Sequence, residues 1–185
     1  MTVPENAWVF DTGPVRSFAI NGWLGVLRFL ADGRPVYIPD SVERELGNAT
    51  EHVPAARAVL DADWIQVYRS TDMRFVEAFA QYADRLVAGG KNRGECGVLA
   101  MGQLHKCEMV LDDAAPRRIA EEKGLRVTAT VPLLCEAIRA KKLTTVMVEA
   151  LADDLLESRY FLPFGPGGFR QHVLVNGLLD YEDLA

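Results

Sequence analysis

"EMVLDDAAPRR" (residues 108–118) runs from a strand-length apolar segment into two adjacent aspartates, then into a segment with Pro116 near its start. A short run rich in aliphatic residues reads as a strand. An acid directly after it stands where open parallel sheets bind ligands, beyond the carboxyl ends of their strands. One aspartate has a plain structural use as N-cap of the next helix, with Pro116 tolerated in the first turn and Arg117 and Arg118 offsetting charge. A cap accounts for one aspartate, not two, and adjacent like charges are costly unless solvent or a cation lies between them. "ADDLL" (152–156) is the contrast: Asp153 and Asp154 fall inside a helical pattern with no strand before them and read as a solvated helix face.

Four other segments share the strand character: "AWVF" (7–10), "PVYI" (35–38), "WIQVY" (64–68) and "LRVTA" (125–129). Between them lie helical periods, over 72–88 with Phe75, Phe79, Tyr82 and Leu86, and over 95–104 with Val98, Leu99 and Leu104. The alternation predicts an α/β fold with a mainly parallel sheet. "PDSVE" sets Asp40 three residues before Glu43, and "NRGE" sets Asn92 three before Glu95, as capping boxes would. "TTVMVEALADDLLES" (144–158) reads as an amphipathic helix with Met147, Leu151 and Leu155 on one stripe, and a final helix is expected after "GPGG". "FLPFGPGGFR" (161–170) lacks the Gly-Lys-Ser/Thr ending of a phosphate loop. Its aromatics, Phe161, Phe164 and Phe169, read first as structural loop residues, with a dimer contact or base stacking as alternatives.

The 185 residues, 49% hydrophobic and 25% charged, predict one folded domain over 1–185, with a C-terminal helical extension from about 144. No apolar run approaches the roughly 20 residues that span a bilayer, and no basic segment leads into an apolar signal core, so a cytoplasmic protein without membrane association is expected. Cys96, Cys107 and Cys135 form no CxxC, and His52, His105 and His172 are scattered, which argues against disulfide and zinc frameworks. A net charge of −6 argues against non-specific nucleic-acid coating and leaves phosphate contacts to local clusters.

Asp11 directly follows "AWVF", where "DTGP" suits a sharp strand-to-helix turn. It reads equally as an N-cap or as a strand-end ligand. Glu45 borders the apolar stripe of Val42 and Leu46. Taken alone, it is a surface glutamate paired with an arginine. Glu95 is explained by its capping box, yet it also stands at a helix N-terminus, where backbone N–H groups favour anions.

Together these stretches resemble the PIN-domain nucleases, in the bacterial branch with "GE" and "LDD" signatures. The resemblance is carried by "VFDTGP" (9–14), "VYIPDSVEREL" (36–46), "NRGECGVLA" (92–100), "VLDDAAPRRIAEEKGLRVTAT" (110–130) and "LLCEAIRAKKLT" (133–144). It implies a three-layer fold whose five-stranded sheet has the order 3-2-1-4-5 and is flanked by helices. It also implies a catalytic quartet of Asp11, Glu45, Glu95 and Asp113. Magnesium or manganese would be held by Asp11, Glu95, Asp112 and Asp113, with Asp112 either a fifth contributor or the partner that orients the others.

Thr12, also a candidate substrate contact, would hold a metal-bound water or a carboxylate through its hydroxyl. Lys91, Arg93, Arg117 and Arg118 are the candidate phosphate contacts, with "RAKK" (139–142) a further cluster. Each such cluster is more often a solvated face than an RNA groove. Where the family shows a glycine in a "TGT" turn, this chain has "TAT" with Ala129. The implied function is a metal-dependent endoribonuclease acting on an RNA substrate. A toxin role with an antitoxin protein partner and a homodimer are also expected. The rival from another class is a non-catalytic RNA- or nucleotide-binding module on the same fold. A dehalogenase-class phosphatase is disfavoured, because position 13, where its second aspartate belongs, is glycine.

Overall fold

The computed structural model describes residues 2–87 and 91–184. Five short strands, β1 (Trp8–Phe10), β2 (Val36–Pro39), β3 (Ile65–Tyr68), β4 (Glu108–Val110) and β5 (Val127–Thr128), form one sheet of order β3-β2-β1-β4-β5. Every pairing is parallel, so the mainly parallel expectation becomes wholly parallel among the described residues. Strands covered by helices on both faces must be apolar on both faces. β1 and β2 are buried at every residue.

The helices are α1 (Thr12–Ile20), α2 (Leu24–Ala31), α3 (Asp40–Ala49), α4 (Arg57–Leu60), α5 (Met73–Leu86), α6 (Arg93–His105), α7 (Ala114–Glu122), α8 (Thr130–Arg139), α9 (Thr145–Glu157) and α10 (Phe169–Val175). The helix expected over 72–88 corresponds to α5, and its last expected residue, Ala88, lies outside the described residues. In α6 every residue from Gly94 to Gly102 is buried, as in a helix enclosed on all sides. Its glycines allow that depth. A Cβ at Gly97 would lie 2.9 Å from the Cβ of Pro39, and one at Gly102 would lie 2.9 Å from Cγ of Met109.

The chain starts in the middle of the sheet, builds outward through β2 and β3, then returns to lay β4 on the other side of β1. Phe10 and Val110 are register partners, so the residues after them emerge side by side at the switch point. The backbone N–H of Asp11 donates to the carbonyl of Val110 at 3.2 Å, which fixes that juxtaposition.

Several local expectations are corrected. α3 begins immediately after β2, so Asp40 is already helical and no capping box forms. Asp40 pairs with Arg44, and Glu43 pairs with Arg69. Asn92 has a left-handed backbone (φ 64°), and its amide donates to the carbonyl of Leu86 instead of capping α6. In α9 the Thr144 hydroxyl accepts from Met147 N–H. The helix then buries Val148, Leu151, Ala152 and Leu155 and leaves Met147 exposed. Asp153 and Asp154 are not merely solvated: they accept from Gly167 N–H and from the Trp23 indole. No helix among the described residues is long and apolar enough to cross a membrane.

Candidate active site

Asp11 sits at the N-cap of α1, and its two carboxylate oxygens have different surroundings. Oδ2 accepts from Gly13 N–H at 3.5 Å, a weak cap, whereas Oδ1 is buried with no hydrogen-bond partner among the described residues. Cap and free acceptor therefore coexist on one side chain. Glu45 reaches across from α3 and accepts from the Thr12 hydroxyl and from Gly94 N–H at 2.8 Å. Its alternative as a surface ion pair fails, because Arg44 and Arg69 are taken by Asp40 and Glu43.

Glu95, in the first turn of α6, is buried, and the box that would have explained it does not form. Gly94 beside it is where the acids meet. A Cβ there would lie 2.6 Å from Glu45 Oε2, 2.9 Å from Asp11 Oδ1 and 3.1 Å from Thr12 Oγ1.

The two aspartates after β4 divide their work in an unexpected way. Asp113 occupies the N-cap position of α7, but its side chain makes no capping bond and is exposed. The aspartate that caps is Asp112, and it caps a different helix. Its Oδ1 accepts from Thr130 N–H at 2.8 Å and its Oδ2 from the Thr130 hydroxyl at 2.6 Å, at the start of α8. Tyr160, on the segment after α9, donates its hydroxyl to the same Oδ2. Asp112 is thus gripped on both oxygens, while Asp113 is left open beside Glu95. Ala129, in the "TAT" turn, has extended backbone (φ −127°, ψ 169°) that any residue adopts, so the missing glycine has no consequence there.

All five acids, with Thr12, Lys91 and Tyr160, line one cleft of about 440 Å³. Burial first, then the charges of Glu95 and Glu45, hold the Asp11 carboxyl well above its ordinary pKa. Burial, then Glu45 and Asp113, raise that of Glu95, against the opposing pull of its own backbone N–H. Acids pressed together against mutual repulsion, with one buried oxygen left unpaired, suit a divalent cation, which would take the oxygen and offset the repulsion. Among the described residues no three of these groups converge closely enough to grip an ion unaided. Magnesium needs no such cage, since it is commonly held by one or two carboxylates and keeps several waters. The donor set therefore fits a hard cation. The three cysteines offer no thiolate alternative, because burial pushes their thiols up to about 11.

The expected phosphate contacts are not all brought to this cleft. Lys91 lines it. Arg93 stacks over the Phe79 ring at 5.8 Å, Arg118 pairs with Glu122 at 3.6 Å, and Arg117 faces a neighbouring cavity. In "RAKK", Arg139 and Lys142 are engaged with Asp183 and Asp32. Sequence reasoning missed Gly94, Thr130 and Tyr160. A signal existed for Gly94, since a glycine inside a helical pattern costs stability and usually has a packing or functional reason.

A family model described as a PIN domain matches residues 7–164. The chain belongs to the PIN-domain family. PIN domains are generally nucleases and usually use divalent metal ions. In this PIN domain the matched span reaches from β1 to Phe164, so it takes in the five cleft acids and Tyr160. A comparison with curated proteins gives no match.

Proposed function

We propose that this PIN domain is a magnesium- or manganese-dependent endoribonuclease that hydrolyses RNA phosphodiester bonds at the acid cleft. The observation that carries the reading is the unpaired, buried Oδ1 of Asp11 facing Glu45 across the side-chain-free Cα of Gly94. Asp11, Glu95, Asp112 and Asp113 would hold the cation, with Asp112 oriented by Thr130 and Tyr160. Once bound, it would acidify a water and stabilise charge on the attacked phosphate. Thr12 and Gly94 keep Glu45 aimed into the cleft by donating to its two oxygens. Lys91, exposed at the cleft, brings positive charge to an otherwise acidic wall. In the reaction a water oxygen bonds to phosphorus as the P–O3′ bond breaks, leaving a 5′-phosphate and a 3′-hydroxyl. A histidine base is not needed, and none lines the cleft among the described residues.

The test is metal removal. Protein stripped with EDTA should cut a single-stranded RNA oligonucleotide at background rate, and added magnesium or manganese should restore cutting. Cleavage that persists in excess chelator would reject the reading, as would RNA binding with no cleavage under any divalent metal.

Tyr160 acts in this scheme by positioning Asp112. Tyr160→Phe removes one of the three donors to that carboxylate and leaves both Thr130 bonds in place. Losing one such bond changes stability by about 0.5–1.5 kcal/mol. The expected functional effect is larger: a roughly 10-fold or greater fall in kcat together with a higher magnesium requirement, on the scale of disturbing a partner that orients a metal ligand. A titration of rate against magnesium separates the two, because a purely structural tyrosine would leave the half-saturation point in place.

A further inference from the structure

Beside the acid cleft lies a second cavity, of about 270 Å³, and Asp112 belongs to the walls of both. The chain joins them again at Tyr160 and Phe161: Tyr160 lines the acid cleft and its neighbour lines the second cavity. α7 joins them a third time, with Asp113 at its N-cap in the cleft and Arg117, one turn on, in the cavity.

The chemistry of the two spaces differs. The second is walled by Val131, Pro132, Leu162 and Pro163, and its cation is Arg117, which has no ion-pair partner among the described residues. At its rim Phe161 is 82% exposed, the highest value among the large hydrophobic side chains of the described residues. The other aromatics of "FLPFGPGGFR" are used internally. Phe169 is buried, Phe164 packs edge-on against it at 5.9 Å, and Phe164 also contacts the His172 ring at 5.1 Å. Phe161 is the member that the packing does not use.

We infer that this cavity seats one nucleoside of the single-stranded RNA next to the bond being cut, with its base against the Phe161 ring and its phosphate toward Arg117. The inference rests on the acid cleft being the place where RNA is cut. An exposed ring stacks on any base, a guanidinium pairs with phosphate, and an apolar floor excludes water from the base. The volume lies just below the roughly 300 Å³ at which pockets for larger ligands begin, so it admits a nucleoside and excludes a duplex or a partner helix. Shared walls with the acid cleft set the bound base one step along the strand from the metal ligands.

The experiment measures binding apart from cutting. In an Asp11→Asn background, the affinity for a short fluorescein-labelled oligouridine is read by anisotropy, with and without Phe161→Ala. Loss of one stacked base predicts roughly 5- to 100-fold weaker binding. Arg117→Gln should weaken binding as well and make it less sensitive to salt. Val175→Ser, at an exposed apolar residue that does not line the cavity, should not change it. Unchanged affinity in Phe161→Ala, or equal loss in Val175→Ser, would overturn the assignment. So would unchanged affinity combined with a loss of self-association by light scattering, which would make the cavity a contact between copies. Failure of the nuclease reading would show separately, as wild-type protein that binds the oligonucleotide and never cuts it.

Discussion

Asp11→Asn should reduce RNA cleavage at least about a hundred-fold, on the scale of removing one preorganised electrostatic partner from an active site, and should at the same time raise the unfolding temperature of the metal-free protein. The two outcomes share one cause. Burial and the neighbouring Glu95 and Glu45 charges raise the carboxyl's pKa in the folded chain, whereas an unfolded aspartate titrates near about 3.9. Between those values the folded state binds more protons than the unfolded state. The unfolding free energy therefore falls as pH rises through that window and stays low above it. Metal-free wild type should accordingly gain stability as pH falls through that window, and the variant, with no such group, should respond less. Each 1 kcal/mol recovered would appear as roughly 2–4 °C in Tm for a chain of this size.

Magnesium should reverse the order, because a ligand that binds only the folded state stabilises it in proportion to its occupancy. Calorimetry of both proteins, with and without metal, checks all four corners. A metal-free variant that melts below wild type would contradict this account of the Asp11 environment.

Gly94→Ala carries the second large effect. On backbone propensity alone, alanine inside a helix is better than glycine by about 0.5–1 kcal/mol. The added methyl would, however, lie 2.6 Å from Glu45 Oε2 and 2.9 Å from Asp11 Oδ1. Something must move, and the end of the Glu45 side chain is more compliant than the α6 backbone. The fold should therefore survive, with stability within about 1 kcal/mol of wild type because the propensity gain offsets part of the overpacking. Cleavage should fall by about 10- to 100-fold, as expected when metal-site carboxylates are displaced. Denaturant unfolding beside a rate measurement distinguishes this from simple misfolding, in which both would collapse together.

Much of the molecule is legible in the sequence. The five strand segments follow from short β-branched and aromatic runs, because burial on both faces leaves little freedom of composition. Asp11 and the Asp112–Asp113 pair are conspicuous for one reason: they stand at the ends of strand-length apolar segments. What could not be read was who holds whom. Asp40 and Asn92 have the spacing of capping residues, but the cap depends on backbone angles, and one is already helical while the other is left-handed. The capping by Asp112 spans 18 residues to Thr130, and the Tyr160 bond spans 48, beyond the reach of any local pattern. Met147 and Val148 differ by one position, and only the packing of α9 separates the exposed Met147 from the buried Val148. Phe161 and Phe169 look alike as letters in a glycine- and proline-rich stretch, and only packing separates an exposed ring from a buried one.

The hydroxyl of Tyr160 closing on Asp112 also bears on the timing of synthesis. Contacts at the cleft bridge 33, 49 and 48 residues, and the last of them waits for a residue beyond α9. A ribosome adding about 5–20 residues per second has exposed Asp11, Glu45 and Glu95 well before it supplies the tyrosine that fixes the fourth strand's aspartate. On the proposed function, the nascent chain emerges beside its own message without a finished cutting centre, and becomes hazardous to RNA only once the segment beyond α9 has been made.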